Sequence, residues 1–318
     1  MRFRNHDPAH SGPTHWQVFR WAIAERLLGR RGPASPGPPA SAVAPDLQGL
    51  RVDSGDARIT WIGHSSFLVQ LAGVNFLFDP VFSSRVARVY PRHGTPGLAA
   101  DQLPPIDVLL VSHNHYDHLD LPSIDGVGRD GTAVVPRGLG KLFTQRLFAR
   151  VVELDWWEAT SLGDVTITLT SARHWSQRTP FDFNRTLWGG FVIQSPTFSY
   201  YFAGDTAWCD VFAEVGRRFP KLDAALIPIG GYEPQWFMSQ NHLNPEEAGR
   251  AFLDSGARTL IPMHWGTFQL ADEPLREPIE RLEAWWSNHA PPDRSLARLA
   301  VGETWRSDAH DRSSPMRR

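Results

Sequence analysis

His113-Asn114-His115-Tyr116-Asp117-His118 follows the apolar stretch Val108-Leu109-Leu110-Val111 with only Ser112 between them. Four metal-ligand side chains thus stand together at the mouth of what reads as a buried strand. Neutral imidazole and ionised carboxylate are the ligands that borderline cations such as Zn²⁺ favour. A helix would scatter positions 113, 115, 117 and 118 around its circumference, and a continuing strand would put His118 on the wrong face. A tight loop leaving a strand end can aim all four inward, His113 and His115 at one ion, Asp117 and His118 at a second. A polar surface loop that merely happens to be rich in His accounts poorly for this spacing.

The pattern H-x-H-x-D-H resembles the metallo-β-lactamase superfamily, whose sites need further ligands downstream. Three candidates stand at the ends of later strand-like runs. His174 follows Val165-Thr166-Ile167-Thr168-Leu169, Asp205 follows the aromatic run Phe198 to Phe202, and His264 closes Leu260-Ile261-Pro262-Met263. Singly, each has a plain alternative: His174 and His264 as core histidines, Asp205 as a turn residue before Thr206. In this order and context they read together as ligands.

Further segments narrow the resemblance to one branch of the superfamily, the N-acyl-phosphatidylethanolamine-hydrolysing phospholipase D group and its bacterial relatives. They include Gly63-His64-Ser65-Ser66-Phe67, Phe78-Asp79-Pro80-Val81-Phe82-Ser83, Leu187-Trp188-Gly189-Gly190, Ile229-Gly230-Gly231-Tyr232-Glu233-Pro234 and His242-Leu243-Asn244-Pro245-Glu246-Glu247-Ala248. The resemblance runs from about residue 58 to 270. It implies two divalent ions, Zn²⁺ by preference: His113, His115 and His174 on one, Asp117, His118 and His264 on the other, and Asp205 bridging. It implies a hydrolase acting on a phosphodiester, phospholipase D-like, with a lactonase or other small-ester hydrolase as the alternative.

Asp117 and His242 are the catalytic candidates, His242 as a hydrogen-bond donor to the phosphoryl oxygen or as the acid for the leaving alkoxide. Arg178, Arg185 and Tyr232 are candidate substrate residues, because guanidinium grips phosphate bidentately. Asp79 and His64 are candidates for orienting the ligands. A zinc β-lactamase of the common type would carry Cys where Asp205 stands, which argues against antibiotic hydrolysis. A non-catalytic metal sensor would be expected to have lost ligands, and none of the seven is missing.

Composition restricts the partners. The 318 residues carry a net charge of −2 with both signs interspersed, so no nucleic-acid footprint is visible. The lone Cys209 excludes an intramolecular disulfide and reads as a small buried hydrophobe. The first 30 residues lack the uninterrupted apolar core of a signal peptide, and the expected compartment is the cytoplasm. The expected partner is a small-molecule or phospholipid substrate. Oligomeric state is not legible.

Residues 1–48 read as an N-terminal helix and a Pro-rich connector, 49–306 as the catalytic domain, and 307–318 as a disordered tail. Thr14 and Gln17 form a capping-box pattern ahead of Trp16, Phe19, Trp21, Ile23, Leu27 and Leu28, with Arg20, Arg26, Arg30 and Arg31 among them. That mixture suits peripheral contact with the inner face of the membrane. The breadth of the apolar face favours packing on the body of the protein.

Strands are expected near 59–61, 66–71, 74–78, 107–112, 132–135, 164–170, 188–195, 198–203, 224–229, 258–263 and 299–304. Helices are expected near 137–148, 210–218, 245–255 and 274–288. The third helix has Asn244 as N-cap, Pro245 first, Glu246 and Glu247 in its first turn, and Gly256 at its end. This order suits an α/β fold of two mixed sheets packed face to face with helices outside, the αββα sandwich that the resemblance implies. Most of the 13 Trp residues, Trp61, Trp188, Trp285 and Trp286 among them, are expected in packing.

Overall fold

Phe76 and Phe78 point from one strand into the same buried layer, and Leu77 between them points into another. The same alternation recurs in the strand that carries the ligand loop, where Val108 and Leu110 take one side and Leu109 the other. Side chains of a strand alternate between its two faces, so unbroken apolar runs mark strands buried on both. A computed structural model describes residues 2–6, 10, 12–29, 35–51 and 55–307. Arg30, Arg31 and 308–318 of the expected tail lie outside the described residues.

Described strands in chain order are β1 (Arg58–Gly63), β2 (Ser66–Leu71), β3 (Val74–Phe78), β4 (Arg85–Val86), β5 (Tyr90–Pro91), β6 (Val108–Leu110), β7 (Thr132–Pro136) and β8 (Arg150–Leu154). They continue as β9 (Ala159–Leu162), β10 (Val165–Thr170), β11 (Gly190–Gln194), β12 (Ser199–Phe202), β13 (Ala224–Pro228), β14 (Thr259–Met263), β15 (Ser295–Leu296) and β16 (Thr304–Arg306). One sheet runs β16-β1-β2-β3-β6-β7-β8 and the other β15-β14-β13-β12-β11-β10-β9. In each, antiparallel pairing at one end gives way to parallel pairing at the other. Between the sheets lies an aromatic layer in which the rings of Phe78 and Phe202 stand 4.8 Å apart. Fully burying a side chain of this size contributes roughly 1.5–3 kcal/mol.

Helices Leu121–Gly126 and Gly140–Thr144 cover the outer face of the first sheet. Helices Val211–Arg218, Pro245–Ser255 and Glu277–His289 cover that of the second. The protein is thus the αββα sandwich that the sequence implies. The Asn244 cap forms as read, its Oδ1 accepting the Glu247 amide at 2.9 Å, and Gly256 ends the helix at φ +69°.

Two expectations need correction, and two strands went unread. The helix expected over 137–148 is only Gly140–Thr144, because Pro136 closes β7 and Gly138 at φ +95° turns the chain first. The strand expected at 299–304 lies later, at Thr304–Arg306, where it pairs with Arg58–Thr60. Strands β8 and β9, half-exposed edge strands without a clean apolar pattern, went unread.

The N-terminal helix begins with the expected box: Gln17 N donates to Thr14 Oγ1 at 3.2 Å, and Thr14 N to Gln17 Oε1 at 2.8 Å. One side of it packs Val18 and Trp21 on Phe237, Met238 and Ala271. Trp16, Phe19, Ile23, Leu27 and Leu28 remain exposed. No helix among the described residues is long and apolar enough to cross a membrane.

Candidate metal centre

Strands β1, β3, β6, β10, β12, β13 and β14 all end at the same edge of the sandwich. Their next residues include His64, Asp79, the His113–His118 loop, His174, Asp205, Gly230 and His264. Parallel pairing with short loops forces this clustering, as it does in open α/β sheets generally. The turns there are tight: His64 (φ 55°), Asp79 (φ 37°) and His264 (φ 62°) hold left-handed backbone that non-glycine residues rarely adopt. Each costs on the order of 1–3 kcal/mol, a strain that gathers at functional sites. Gly204, at φ +63°, lets the chain turn into Asp205, since a Cβ there would meet Gly189 O at 2.6 Å.

Three imidazoles converge first. His115 Nδ1 lies 2.9 Å from His113 Nε2 and 3.2 Å from His174 Nε2. Nitrogens bound tetrahedrally to one zinc ion would be about 3.3 Å apart. A second group stands beside it, with Asp117 Oδ2 3.4 Å from His118 Nε2 and 3.3 Å from His264 Nε2. Asp205 Oδ2 sits between the groups, 3.2 Å from His118 Nε2, 3.1 Å from His264 Nε2, and 3.9 Å from His113 Nε2 and His174 Nε2.

The outer nitrogens decide which lone pairs face inward. His174 Nδ1 donates to Asn241 O at 2.9 Å and His264 Nδ1 to Gly230 O at 3.2 Å, which in the neutral rings leaves both Nε2 atoms as acceptors. His118 Nδ1 meets Asp79 Oδ2 at 2.7 Å, and Asp79 also accepts from Ser112 N at 2.7 Å and Ser112 Oγ at 2.6 Å. Ser112 Oγ, having donated there, accepts from His113 Nδ1 at 3.0 Å. One buried carboxylate thereby orients two imidazoles. His64 Nε2 contacts Asp117 Oδ2 at 3.0 Å and braces that carboxylate. His118 Nε2, His264 Nε2 and Asp205 Oδ1 are buried without a hydrogen-bond partner, a costly state that a bound cation would relieve. The donor set of imidazoles and carboxylates fits a borderline divalent metal.

Burial drives the electrostatics. It holds His174 at about 3, His115 at about 4 and His113 well below the usual imidazole range. Burial also disfavours charge on His264 and His118, but Asp205 and Asp117 outweigh it and raise His264 to about 9 and His118 well above its ordinary value. Both carboxylates are pushed up by burial and brought down further by these imidazoles, so they stay ionised.

His115, Asp117, Asp205 and His264 of this cluster line a cavity of about 280 Å³. Its walls are apolar: Val18 and Trp21 of the N-terminal helix, Val86 and Tyr90, Phe237, Met238, Leu270 and Ala271. His242 also lines it, with Nδ1 buried, unpartnered and 3.9 Å from Asp205 Oδ2.

Three residues expected at the substrate do not line this cavity. Arg178 Nη1 donates to the carbonyls of Asn114 (3.0 Å) and Leu119 (2.5 Å), and its guanidinium stacks on Tyr116 at 4.2 Å. A tight loop leaves its carbonyls without partners, and Arg178 satisfies them. Arg185 is exposed and does not line the cavity. Tyr232 is buried and donates its hydroxyl to Glu277 Oε1 at 2.7 Å. Sequence reading missed the two acceptor carbonyls, Ser112 and the apolar wall. Only Ser112, next to the motif, carried a signal.

The sandwich and its edge cluster define a metal-dependent hydrolase. Residues 74–265 match the model of the beta-lactamase superfamily domain. The chain is 35% identical over 272 residues to N-acyl-phosphatidylethanolamine-hydrolyzing phospholipase D 1 of Caenorhabditis elegans, covering 80% of this chain and 76% of that one. It is 32% identical to a metal-dependent hydrolase of Nitratidesulfovibrio vulgaris, covering 78% of this chain and 94% of that one. The structure of isothiocyanate hydrolase from Delia radicum gut bacteria superposes with a TM-score of 0.63 at 20% identity, covering 78% of this chain and 98% of the other, a likeness of fold. The chain belongs to the metallo-β-lactamase superfamily.

Replacing Arg178 by Met should lower kcat and metal affinity by about ten- to a hundredfold, the usual loss for a group supporting ligands, and leave KM unchanged. A raised KM with full metal content would return Arg178 to the substrate.

Acid should weaken the metal-free fold. Unfolded, His113, His115 and His174 take up protons from about 6.5 downward, whereas in the fold His115 waits until about 4 and His174 until about 3. Stability is therefore lost as pH falls from 6.5 towards 4. Thermal melting of chelator-treated protein across that window measures it, and a flat profile contradicts the assignment.

Proposed function

We propose that the protein is a dinuclear hydrolase of phosphodiesters, acting phospholipase D-like on an N-acylated ethanolamine phospholipid or a smaller analogue. The observation that carries this reading is that His115, Asp117, Asp205 and His264 of the His/Asp cluster open into a cavity with largely apolar walls. The activity in the name of the Caenorhabditis elegans relative supports it. The exposed Trp16, Phe19, Ile23, Leu27 and Leu28 beside that cavity suit contact with an aggregated lipid substrate.

His113, His115 and His174 would hold one ion and Asp117, His118 and His264 the other, with Asp205 Oδ2 shared; the donor types suit zinc. When bound, such ions activate water near neutral pH and neutralise charge developing on the phosphoryl group. The chain's own residues do the remainder. Asp79, Ser112, Asn241 and Gly230 hold the imidazoles in the tautomer that presents a lone pair. Val18, Trp21, Phe237 and Met238 exclude water and receive the apolar part of the substrate.

His242 faces the cavity with a free Nδ1. Burial lowers its pKa to about 3, so it enters the reaction as a neutral imidazole, suited to hydrogen-bond a phosphoryl or leaving oxygen rather than to supply a proton from a cation. His242→Gln should retain kcat within about tenfold. His242→Ala should lose about a hundredfold, as for removal of one oxyanion donor. A Gln variant as impaired as Ala would assign the proton-transfer role instead.

The function itself is tested by assaying the metal-loaded protein on an N-acylated ethanolamine phospholipid, bis(p-nitrophenyl) phosphate and an acyl lactone. Hydrolysis of both phosphodiesters is expected, and Trp21→Ala should raise KM for the lipid alone. Turnover of the lactone without either phosphodiester would overturn the reading in favour of an esterase.

A further inference from the structure

His174 lies in the loop after β10, and its backbone is held from the far N-terminus. Asn5 Nδ2 donates to His174 O at 2.9 Å, and His174 N donates to Asn5 Oδ1 at 3.2 Å, so one buried side-chain amide pairs with the ligand's peptide groups as a neighbouring strand would. The two residues are 169 positions apart. Asn5 Nδ2 also donates to His10 O at 3.0 Å, which holds His10 beside the same peptide group.

Contacts on either side repeat the pattern. Arg173 Nη2 meets His10 Nε2. Gly12, at φ +79°, lies so close to Trp175 that a Cβ would stand 3.1 Å from Trp175 Cβ and 3.2 Å from Phe183 Cζ. Phe3 N donates to Asn184 O at 2.7 Å, tying the segment to the loop that returns from the ligand. Residues 173, 174 and 175 are therefore each gripped from the N-terminal segment. Trp175 passes the constraint on, since its ring stands edge-on to His115 at 4.5 Å, and His115 faces the same position as His174.

We infer that Asn5 is a positioning residue of the metal centre, and that Phe3, Asn5, His10 and Gly12 form a strap that fixes His174 for the first ion. His174 has two freedoms that matter, ring rotation and backbone placement. Asn241 O fixes the first, through Nδ1. The loop after β10 is irregular, and within it Asn5 fixes the second. Groups that orient a ligand from outside typically contribute ten- to a hundredfold in metal affinity. The strap acts on the three-imidazole group and not on Asp117, His118 or His264, so its loss is felt at one ion only. The inference rests on the metal-holding role proposed for His174 and not on the choice of substrate.

The test is competition for Zn²⁺ against a chromophoric chelator at neutral pH, with the melting of the metal-free protein measured alongside. Asn5→Ala should weaken the tighter or the weaker of two binding steps by about tenfold or more and leave the other unchanged. Asn5→Asp keeps the acceptor for His174 N and loses the donor to His174 O, and should fall between. Gly12→Val, which lifts the strap from Trp175, should weaken the same step. The exposed Arg4→Ala serves as control and should bind as the parent does. Should Asn5→Ala bind both ions as the parent does while His174→Ala loses one, the strap has no part in the site. If His174→Ala also binds both ions normally, the metal assignment itself fails. An Asn5→Ala variant that loses melting temperature but keeps both affinities makes Asn5 merely structural and overturns the inference.

Discussion

Polar groups buried this densely must have partners, and that constraint organises the rest of the molecule. His113, His118, His174, His264, Asp79 and Asp205 are all nearly inaccessible to solvent. An unpaired buried donor or acceptor costs about 1–3 kcal/mol, more when charged. The fold meets the constraint in two directions. Outward-facing nitrogens are satisfied by Asp79, Ser112, Asn241 O and Gly230 O. Inward-facing nitrogens and carboxylate oxygens are turned towards each other, which is tolerable only around positive charge. Strand-end strain at His64, Asp79 and His264 and the close approach at Gly204 are consequences of bringing these groups to one edge.

The hydrophobic layers supply the rigidity that this requires. The aromatic layer between the sheets, with Phe78 against Phe202, locks strands whose ends carry Asp79 and Asp205. Displacing either strand by one residue would turn those carboxylates to the opposite face. Because the candidate ligands come from both sheets, their clustering depends on the packing of one sheet against the other. The site and the core are in this sense one structure.

Much of this was legible in sequence, for physical reasons. His113 to His118 is a local cluster, and a local cluster needs no fold to be seen. His174, Asp205 and His264 each follow a run apolar enough to be a buried strand. The capped helix from Pro245 to Ser255 announces itself through Asn244, Pro245 and Gly256. What escaped was carried by long-range geometry. Arg178 and Arg185 read as phosphate-binding because cationic and aromatic residues mingle there, yet the guanidinium of Arg178 is drawn to loop carbonyls that only the folded chain brings near. Asn5 lies in a segment of no periodicity, and the N-terminal helix that walls the cavity gave no sign of which face would turn inward. Edge strands β8 and β9 bury too little on either face to leave a pattern.

We propose that two ions share Asp205 between a three-imidazole group and a group of Asp117, His118 and His264. Anomalous diffraction at the zinc edge from crystals of the metal-loaded protein tests it most directly. Two peaks are expected, about 3.5–4 Å apart as in two-metal hydrolases, one beside His113, His115 and His174 and the other beside Asp117, His118 and His264. A single peak, or a second ion held by His64 in place of Asp205, would contradict the account.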